Sequence, residues 1–360
     1  MSFWNIRRQP IYGKRMAAPI KDLAWLAWIE RMVGPTAYLG TAASLPRSAF
    51  HCRLDDQPDH LVPWRILEQG LWEGLADRRR FLNPLCAFSH SGFPKLAGAD
   101  DLSCFSFRER TVWLTDPATR ALQPFWLGAE LADALYDLQP GHPAPSNLSS
   151  RVRSTLAMAN ILVDDAFATT RCRDWAETVS GCREQFHERG FVPVRDLIHP
   201  FHIAALRRYY RQLIRTGKLP LGDGQTALRY AAHNESVARF FHRQLTYAIS
   251  QVAGEPLKPS YVYMGSYQAG AALEKHIDRE QCEFSLTLCL DYTPEPQLAT
   301  PWPLVLHTDN GEVRVFQSIG DALLYKGREL PHSRAALPEG HTSTSIFFHY
   351  VRKDYAGRLD

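Results

Sequence analysis

Two side chains able to hold a metal stand two residues apart, His276 and Asp278, in the run Glu274–Gln281 (EKHIDREQ). Alternate residues of a β-strand share a face, so an imidazole and a carboxylate at this spacing can meet one ion. A third ligand must come from elsewhere. His332, which follows the strand-like run Asp321–Gly327 (DALLYKG), is the candidate. Two histidines and one carboxylate on one side of an octahedral ion leave three positions open. That arrangement suits ferrous iron required to hold a cosubstrate and O2 together.

These residues need a scaffold of short strands, and the second half of the chain supplies the pattern for one. Gly190–Ile198 (GFVPVRDLI) reads as a strand preceded by a turn residue, and helical periodicity follows over His202–Thr216 and Asn234–Val252. From Tyr261 onward the pattern changes to strands: YVYMGSY, CEFSLTLCLDY, PLVLHT, VRVFQS, DALLYKG and STSIFFHYV. Phe284, Leu286, Leu288 and Leu290 alternate cleanly. Helices leading into many short strands predict an α+β chain with a double-stranded β-helix (jelly-roll), a barrel with a lumen suited to a metal and a small ligand.

Taken alone, an H-x-D pair is unremarkable among 14 histidines. The run Tyr267–Asp278 (YQAGAALEKHID) gives it context, because it resembles the YxxGxxxxxHxD pattern of the prolyl-hydroxylase-like branch of the non-haem Fe(II), 2-oxoglutarate-dependent oxygenases. Gly320–His332 (GDALLYKGRELPH) looks like the strand that delivers that family's second histidine, and LPEGHTSTSIFFHYV looks like its last barrel strand. The resemblance covers residues 190–351. It implies Fe(II) and 2-oxoglutarate as cofactors, with His276, Asp278 and His332 as metal ligands and Tyr267 as a cosubstrate contact. It also implies oxidative decarboxylation of 2-oxoglutarate to succinate and CO2, coupled to oxidation of a substrate C–H bond. Asp278 keeps the carboxylate that related halogenases lack, which makes hydroxylation the default outcome.

One departure from the family pattern concerns the far carboxylate of 2-oxoglutarate. The family places an Arg or Lys about ten residues after the second histidine, with a Ser or Thr two residues further on; here that region holds His341, Thr342, Ser343 and Thr344. With a one-residue gap, His341 and Ser343 take the two positions; without it, Thr342 and Thr344 face inward. A buried carboxylate without a cation is costly. Arg334, two residues from His332 and so on the same face of a strand, is the best substitute, since a guanidinium can grip a carboxylate with two hydrogen bonds. Lys326 and Arg328 are weaker candidates. The bland alternative for Arg334 is an ion pair with Glu274 or Glu280. Tyr263, Arg279 and Gln281 are candidate substrate contacts, weighed against barrel packing for the tyrosine and a solvated loop for the other two.

The first half is read as a separate, mostly helical domain, 1–175, with the oxygenase domain at 176–360; the seam is placed in Ala166–Gly181. Helical stretches are expected near Ile20–Val33 and Trp64–Asp77, and a Pro-rich link at Gln139–Ser149. Strand, turn, strand and two helices over Phe105–Val163 resemble the small peptide-binding winged-helix modules of peptide-maturation pathways. The alternative is a helper domain packed on the enzyme. The resemblance tilts the expected partner toward a peptide, possibly a precursor peptide, with a small-molecule substrate equally open.

Composition narrows the classes. The 360 residues carry a net charge of +3 with 45% hydrophobic and 22% charged residues, an ordinary globular balance. No basic groove with interleaved aromatics argues for nucleic acid, and no apolar run of about 18 residues argues for a membrane span. Seven cysteines, odd in number and without a CxxC pair, make a disulfide framework or thiolate zinc site unlikely. The absence of an apolar run after the charged N-terminus argues against a secretory leader, and a cytoplasmic setting fits. Two rivals remain. One is a barrel that keeps the metal triad but senses rather than catalyses, and the other is a cupin-type dioxygenase, against which the carboxylate at Asp278 argues.

Overall fold

The computed structural model describes residues 50–54, 80–89, 102, 104–105, 110–135 and 138–360. The helices expected at 20–33 and 64–77 lie outside them. Residues 50–360 form one compact unit.

The barrel consists of two antiparallel sheets. The larger has the order β6 (Phe191–Val194), β13 (Ala322–Tyr325), β10 (Phe284–Thr293), β15 (Thr342–Arg352), β8 (Leu257–Tyr267), β7 (Arg229–His233). The smaller has the order β12 (Gly311–Val315), β11 (Leu304–Thr308), β14 (His332–Arg334), β9 (Leu273–His276). This agrees with the double-stranded β-helix read from the sequence.

The apolar alternation on β10 marks the outer face of the large sheet, the one covered by helices. Leu286 stands opposite Phe348 and Leu324, and Leu288 opposite Ile346 and Ala322. All of these join one core with residues of α3 (Phe167–Arg189), α4 (Pro200–Arg215) and α5 (Ser236–Ala253). The opposite face of β10 carries Ser285 and Thr287, which face the lumen. Tyr325 and Leu323 lie on that side too and pack with Leu304, Leu306 and Val315 of the small sheet.

Local signals set the helices. α5 starts at Glu235, whose carboxylate accepts the Val237 and Ala238 amides, and ends at Gly254 in the left-handed region. α4 starts at His199 with Pro200 in its first turn. α3 corrects the expected seam: Ala166–Gly181, read as a domain boundary, is largely one 23-residue helix. Its apolar signal is thin, because only Trp175, Val179 and Phe186 are buried.

The described part of the first half is not a free-standing module. A short antiparallel pair, β1 (Phe81–Leu82) and β5 (Leu162–Val163), accompanies a three-stranded sheet, β2 (Cys86–Ser89), β3 (Thr111–Thr115) and β4 (Leu122–Trp126), which is followed by α1 (Ala129–Leu135) and α2 (Ser150–Met158). The expected succession of hairpin and two helices is present, but the likeness to a peptide-binding winged-helix module finds no support. The sheet is built into the barrel's helical layer. Phe105 stacks edge-on against Phe240 at 4.7 Å, the Pro124 carbonyl bonds His202 at 2.8 Å, and the Leu122 amide donates to Gln244 at 2.8 Å. The boundary expected at 175/176 falls inside α3, within a single continuous core.

Candidate active site

Two of the three expected ligands come from the small sheet. β9 and β14 pair so that His276 stands directly opposite His332, and Asp278 follows β9 by two residues. The His276 Nδ1 lies 2.8 Å from the Glu274 carbonyl and the His332 Nδ1 3.0 Å from the Leu330 carbonyl. A carbonyl can only accept, so each Nδ1 carries the hydrogen and each Nε2 presents its lone pair. Both Nε2 atoms point at the same oxygen, Asp278 Oδ1, at 3.8 and 3.6 Å. Burial lowers the pKa of His332, against the pull of Asp278 in the other direction, which favours the neutral, ligating form. The three ligand atoms all lie within 4.8 Å of one another. Two imidazole nitrogens and one carboxylate oxygen are a donor set that fits ferrous iron.

The lumen beside the triad is polar and aromatic. Arg334, on the strand of His332, is buried; burial pulls its pKa below the usual value. Its guanidinium stacks on Trp302 at 4.5 Å and donates to the Trp302 carbonyl at 2.9 Å. Among the described residues it forms no ion pair, and the partners considered for it, Glu274 and Glu280, are both exposed. Lys326 and Arg328 instead pair with Glu329 and Glu283.

Strand register separates the two readings of the segment after His332. Ser343 stands opposite both Tyr267 and Tyr292, in the row that leads through Ser345 and Phe347 to His349 on the lumen face. Thr342 and Thr344 have the opposite parity, and the Thr344 hydroxyl donates to Ser266 at 2.9 Å. The arrangement with a gap, His341 and Ser343, is therefore the one on the lumen side; His341 Nδ1 lies 2.8 Å from the Tyr292 hydroxyl. Tyr267 is buried against Trp302 (ring centroids 5.1 Å), and its hydroxyl accepts from Arg229 at 2.8 Å. Tyr263 donates to Asp223 at 2.6 Å. Arg279 is exposed on the turn after Asp278, and Gln281 is half-buried with its carbonyl accepting the Ser260 hydroxyl. Among the described residues, no hydrogen bond or ion pair joins these three to the triad.

The site also contains residues that no local spacing marks. Arg229 bridges Asp223 and Tyr267, and a Cβ at Gly265 would press on its side chain. Burial works against its charge, but Tyr267, Tyr263 and Asp223 outweigh burial and raise its pKa. Its one signal was β7, too short to stand out. Tyr292 follows the β10 alternation by two residues, and unbroken strand parity would put it on the apolar face. A bulge between Cys289 and Asp291 reverses the parity and turns it into the lumen. Trp302, Ser285 and His349 carried no spacing signal.

No protein-family model and no curated protein sequence matches the chain. Solved structures similar to it include a prolyl-4-hydroxylase from Pseudomonas putida, 17% identical, with a TM-score of 0.40 over 49% of this chain and 99% of that one. A prolyl hydroxylase from Trichoplax adhaerens, in complex with a hypoxia inducible factor peptide fragment, is 13% identical (TM-score 0.43, 51% of this chain, 93% of that one). The epimerase SnoN, in complex with Fe3+, alpha ketoglutarate and nogalamycin RO, is 15% identical (TM-score 0.42, 51% and 87%). These neighbours, each similar over about half of this chain, are 2-oxoglutarate-dependent iron oxygenases. At these identities the reaction has to be read from the chain's own residues.

Proposed function

We propose that the chain is an Fe(II)- and 2-oxoglutarate-dependent oxygenase that hydroxylates an unactivated C–H of an amino acid, peptide or specialised metabolite and releases succinate and CO2. The observation that carries this reading is the pairing of two features in one lumen: a preset His276–Asp278–His332 triad, and a buried Arg334 that no acid neutralises among the described residues. A dicarboxylate chelating the ion would supply the missing counter-charge. A barrel that merely held a metal would have no use for an uncompensated guanidinium.

Bound iron supplies the centre at which a 2-oxo acid and O2 meet, with Asp278 adding the negative charge that favours a divalent ion. The rest belongs to side chains. The hydrogen bonds from His276 and His332 to backbone carbonyls hold both Nε2 lone pairs on target. Arg334 receives the far carboxylate, steered by its stack on Trp302. Tyr267, itself held by Arg229, and the Tyr292–His341 pair contribute further polar atoms, and Ser343 lies in the same row. The buried rings of Trp302, Tyr267 and Tyr292 lower the local dielectric at this end of the lumen, which strengthens charge pairing. The ligand set is equally compatible with epimerisation or cyclisation, so hydroxylation rests on the retained carboxylate ligand and the resemblance of the Tyr267–Asp278 run.

The test is anaerobic. Purified protein mixed with ferrous iron and 2-oxoglutarate should develop the weak visible charge-transfer band of the chelate, and His276→Ala should abolish it. No band, together with no succinate once air and candidate substrates are supplied, would sink the assignment.

A further inference from the structure

The Asp278 carboxylate is held from behind by groups that are not themselves in the triad. Its Oδ2 accepts the Ser285 hydroxyl at 2.6 Å, while Oδ1 faces the two histidines. A hydroxyl has a single hydrogen. With that given to Asp278, Ser285 Oγ must accept from His349 Nδ1, 3.0 Å away. His349 suits the part: it is buried and neutral, and its ring lies against Tyr261 at 4.6 Å.

The second set of clustered metal-type side chains, Asp278, Cys282 and His349, is accounted for by the same bonds. Asp278 Oδ2 and His349 Nδ1 are both engaged with Ser285, and the Cys282 sulfur lies 3.1 Å from the Tyr261 hydroxyl. Gly327 closes the arrangement. Its carbonyl accepts the Asp278 amide at 2.9 Å, and any Cβ there would overlap both Asp278 Oδ2 and Ser285 Oγ and come within 2.7 Å of the Cys282 carbonyl.

We propose that Ser285, His349 and Gly327 are positioning residues that commit Asp278 to ligation through Oδ1 alone and so keep a coordination position open for the cosubstrate or O2. The proposal rests on the reading of the triad as a metal centre. A carboxylate free to turn could chelate an ion with both oxygens and use one more position. Turning Asp278 requires giving up its charge-assisted bond from Ser285, whose hydroxyl hydrogen then loses that acceptor in the interior. The device has a topological side as well. Ser285 is on β10, His349 on β15 and Gly327 follows β13, all at the large sheet, whereas both histidine ligands are on the small one. Asp278 is therefore fixed by one sheet relative to ligands carried by the other.

The measurement is anaerobic Co(II) titration of the full chain, read by affinity and by the visible ligand-field spectrum of the loaded protein. Ser285→Ala is expected to weaken Co(II) binding about 10- to 100-fold and to change the band shape and intensity. His349→Leu should act in the same direction. His349→Asn, which keeps an N–H donor at the Nδ1 position, should restore most of the affinity and the wild-type spectrum. Gly327→Ala should reproduce the Ser285→Ala spectrum. Thermal melting of the metal-free proteins identifies any variant that fails to fold, and the Asn-against-Leu contrast at 349 does not depend on Ser285→Ala folding. Wild-type affinity and spectrum in Ser285→Ala and His349→Leu would overturn the proposal while leaving the metal centre standing. A wild-type protein that takes up no Co(II) would overturn the centre and the proposal with it.

Discussion

Two arginines are buried on opposite faces of the large sheet, and their surroundings differ completely. Arg207, on α4, reaches the helix-covered face and is saturated. Its Nε donates to Asp291 at 3.0 Å, and its terminal nitrogens reach Glu295 at 2.7 and 3.3 Å. Burial works against its charge, yet the two acids outweigh it and raise its pKa. Arg334, on the lumen face, has a carbonyl and an indole ring, and burial pulls its pKa down. The faces separate within one dipeptide. Asp291 turns toward Arg207, and Tyr292, beyond the bulge, turns into the lumen. A satisfied buried charge belongs to the architecture. An unsatisfied one that cannot discharge is a place for a ligand, because a guanidinium stays protonated where an imidazole would simply go neutral.

Buried histidines show that contrast and give the largest expected effect. Burial pushes His199 down to about 4 and His202 and His242 to about 3, against an ordinary 6.5. These are bases with depressed folded-state values. Their contribution is complete above about pH 6.5 and is lost as pH falls toward 4, since the unfolded chain then takes up protons the folded chain refuses. Three such groups change stability by up to about 4 kcal/mol per pH unit inside that window, so metal-free protein should unfold cooperatively on mild acidification. Denaturant melts at pH 7.5, 6 and 5 measure it; a flat profile would show that these histidines are not held neutral.

Next in size is Arg207→Met. It leaves Asp291 buried with Arg211 as its remaining cation, and the expected loss is about 3 kcal/mol of unfolding free energy with little change in 2-oxoglutarate affinity. Arg334→Met should do the reverse. Stability holds or rises slightly, and anaerobic titration should show 2-oxoglutarate binding weakened about 100-fold, the loss of a charge-assisted contact. If Arg334→Met destabilised the fold and left 2-oxoglutarate affinity intact, the two arginines would not differ as described. The smallest effect is Tyr292→Phe, which deletes the hydroxyl beside His341. The expected cost is about 1 kcal/mol, a few-fold in 2-oxoglutarate affinity, and no change at all would place that pair outside the pocket.

Much of the barrel was legible because its signals are local. Alternation over Phe284–Leu290 exposed β10, and the helices at 200–215 and 236–253 carry strong apolar faces with clear caps. β7 is short, and α3 is mostly exposed with only three buried residues, so neither announced itself. In the first half, local pattern and tertiary placement part for a related reason. Its strand and helix order was visible, but the contacts from Phe105, Pro124 and Leu122 to the helical layer span more than 75 residues of sequence, and no local pattern reports them.

At the site, the sequence by itself determined that His276 and Asp278 could share an ion, since strand periodicity is a property of neighbouring residues. It also narrowed the partner of the far carboxylate to a few side chains. Only the tertiary structure decided which rows face the lumen. The bulge on β10, the pairing of His276 with His332 and the parity of Ser343 are relations between strands. A one-residue shift in any of them sends a side chain to the other face, and that choice is made by which face can be buried against the helices.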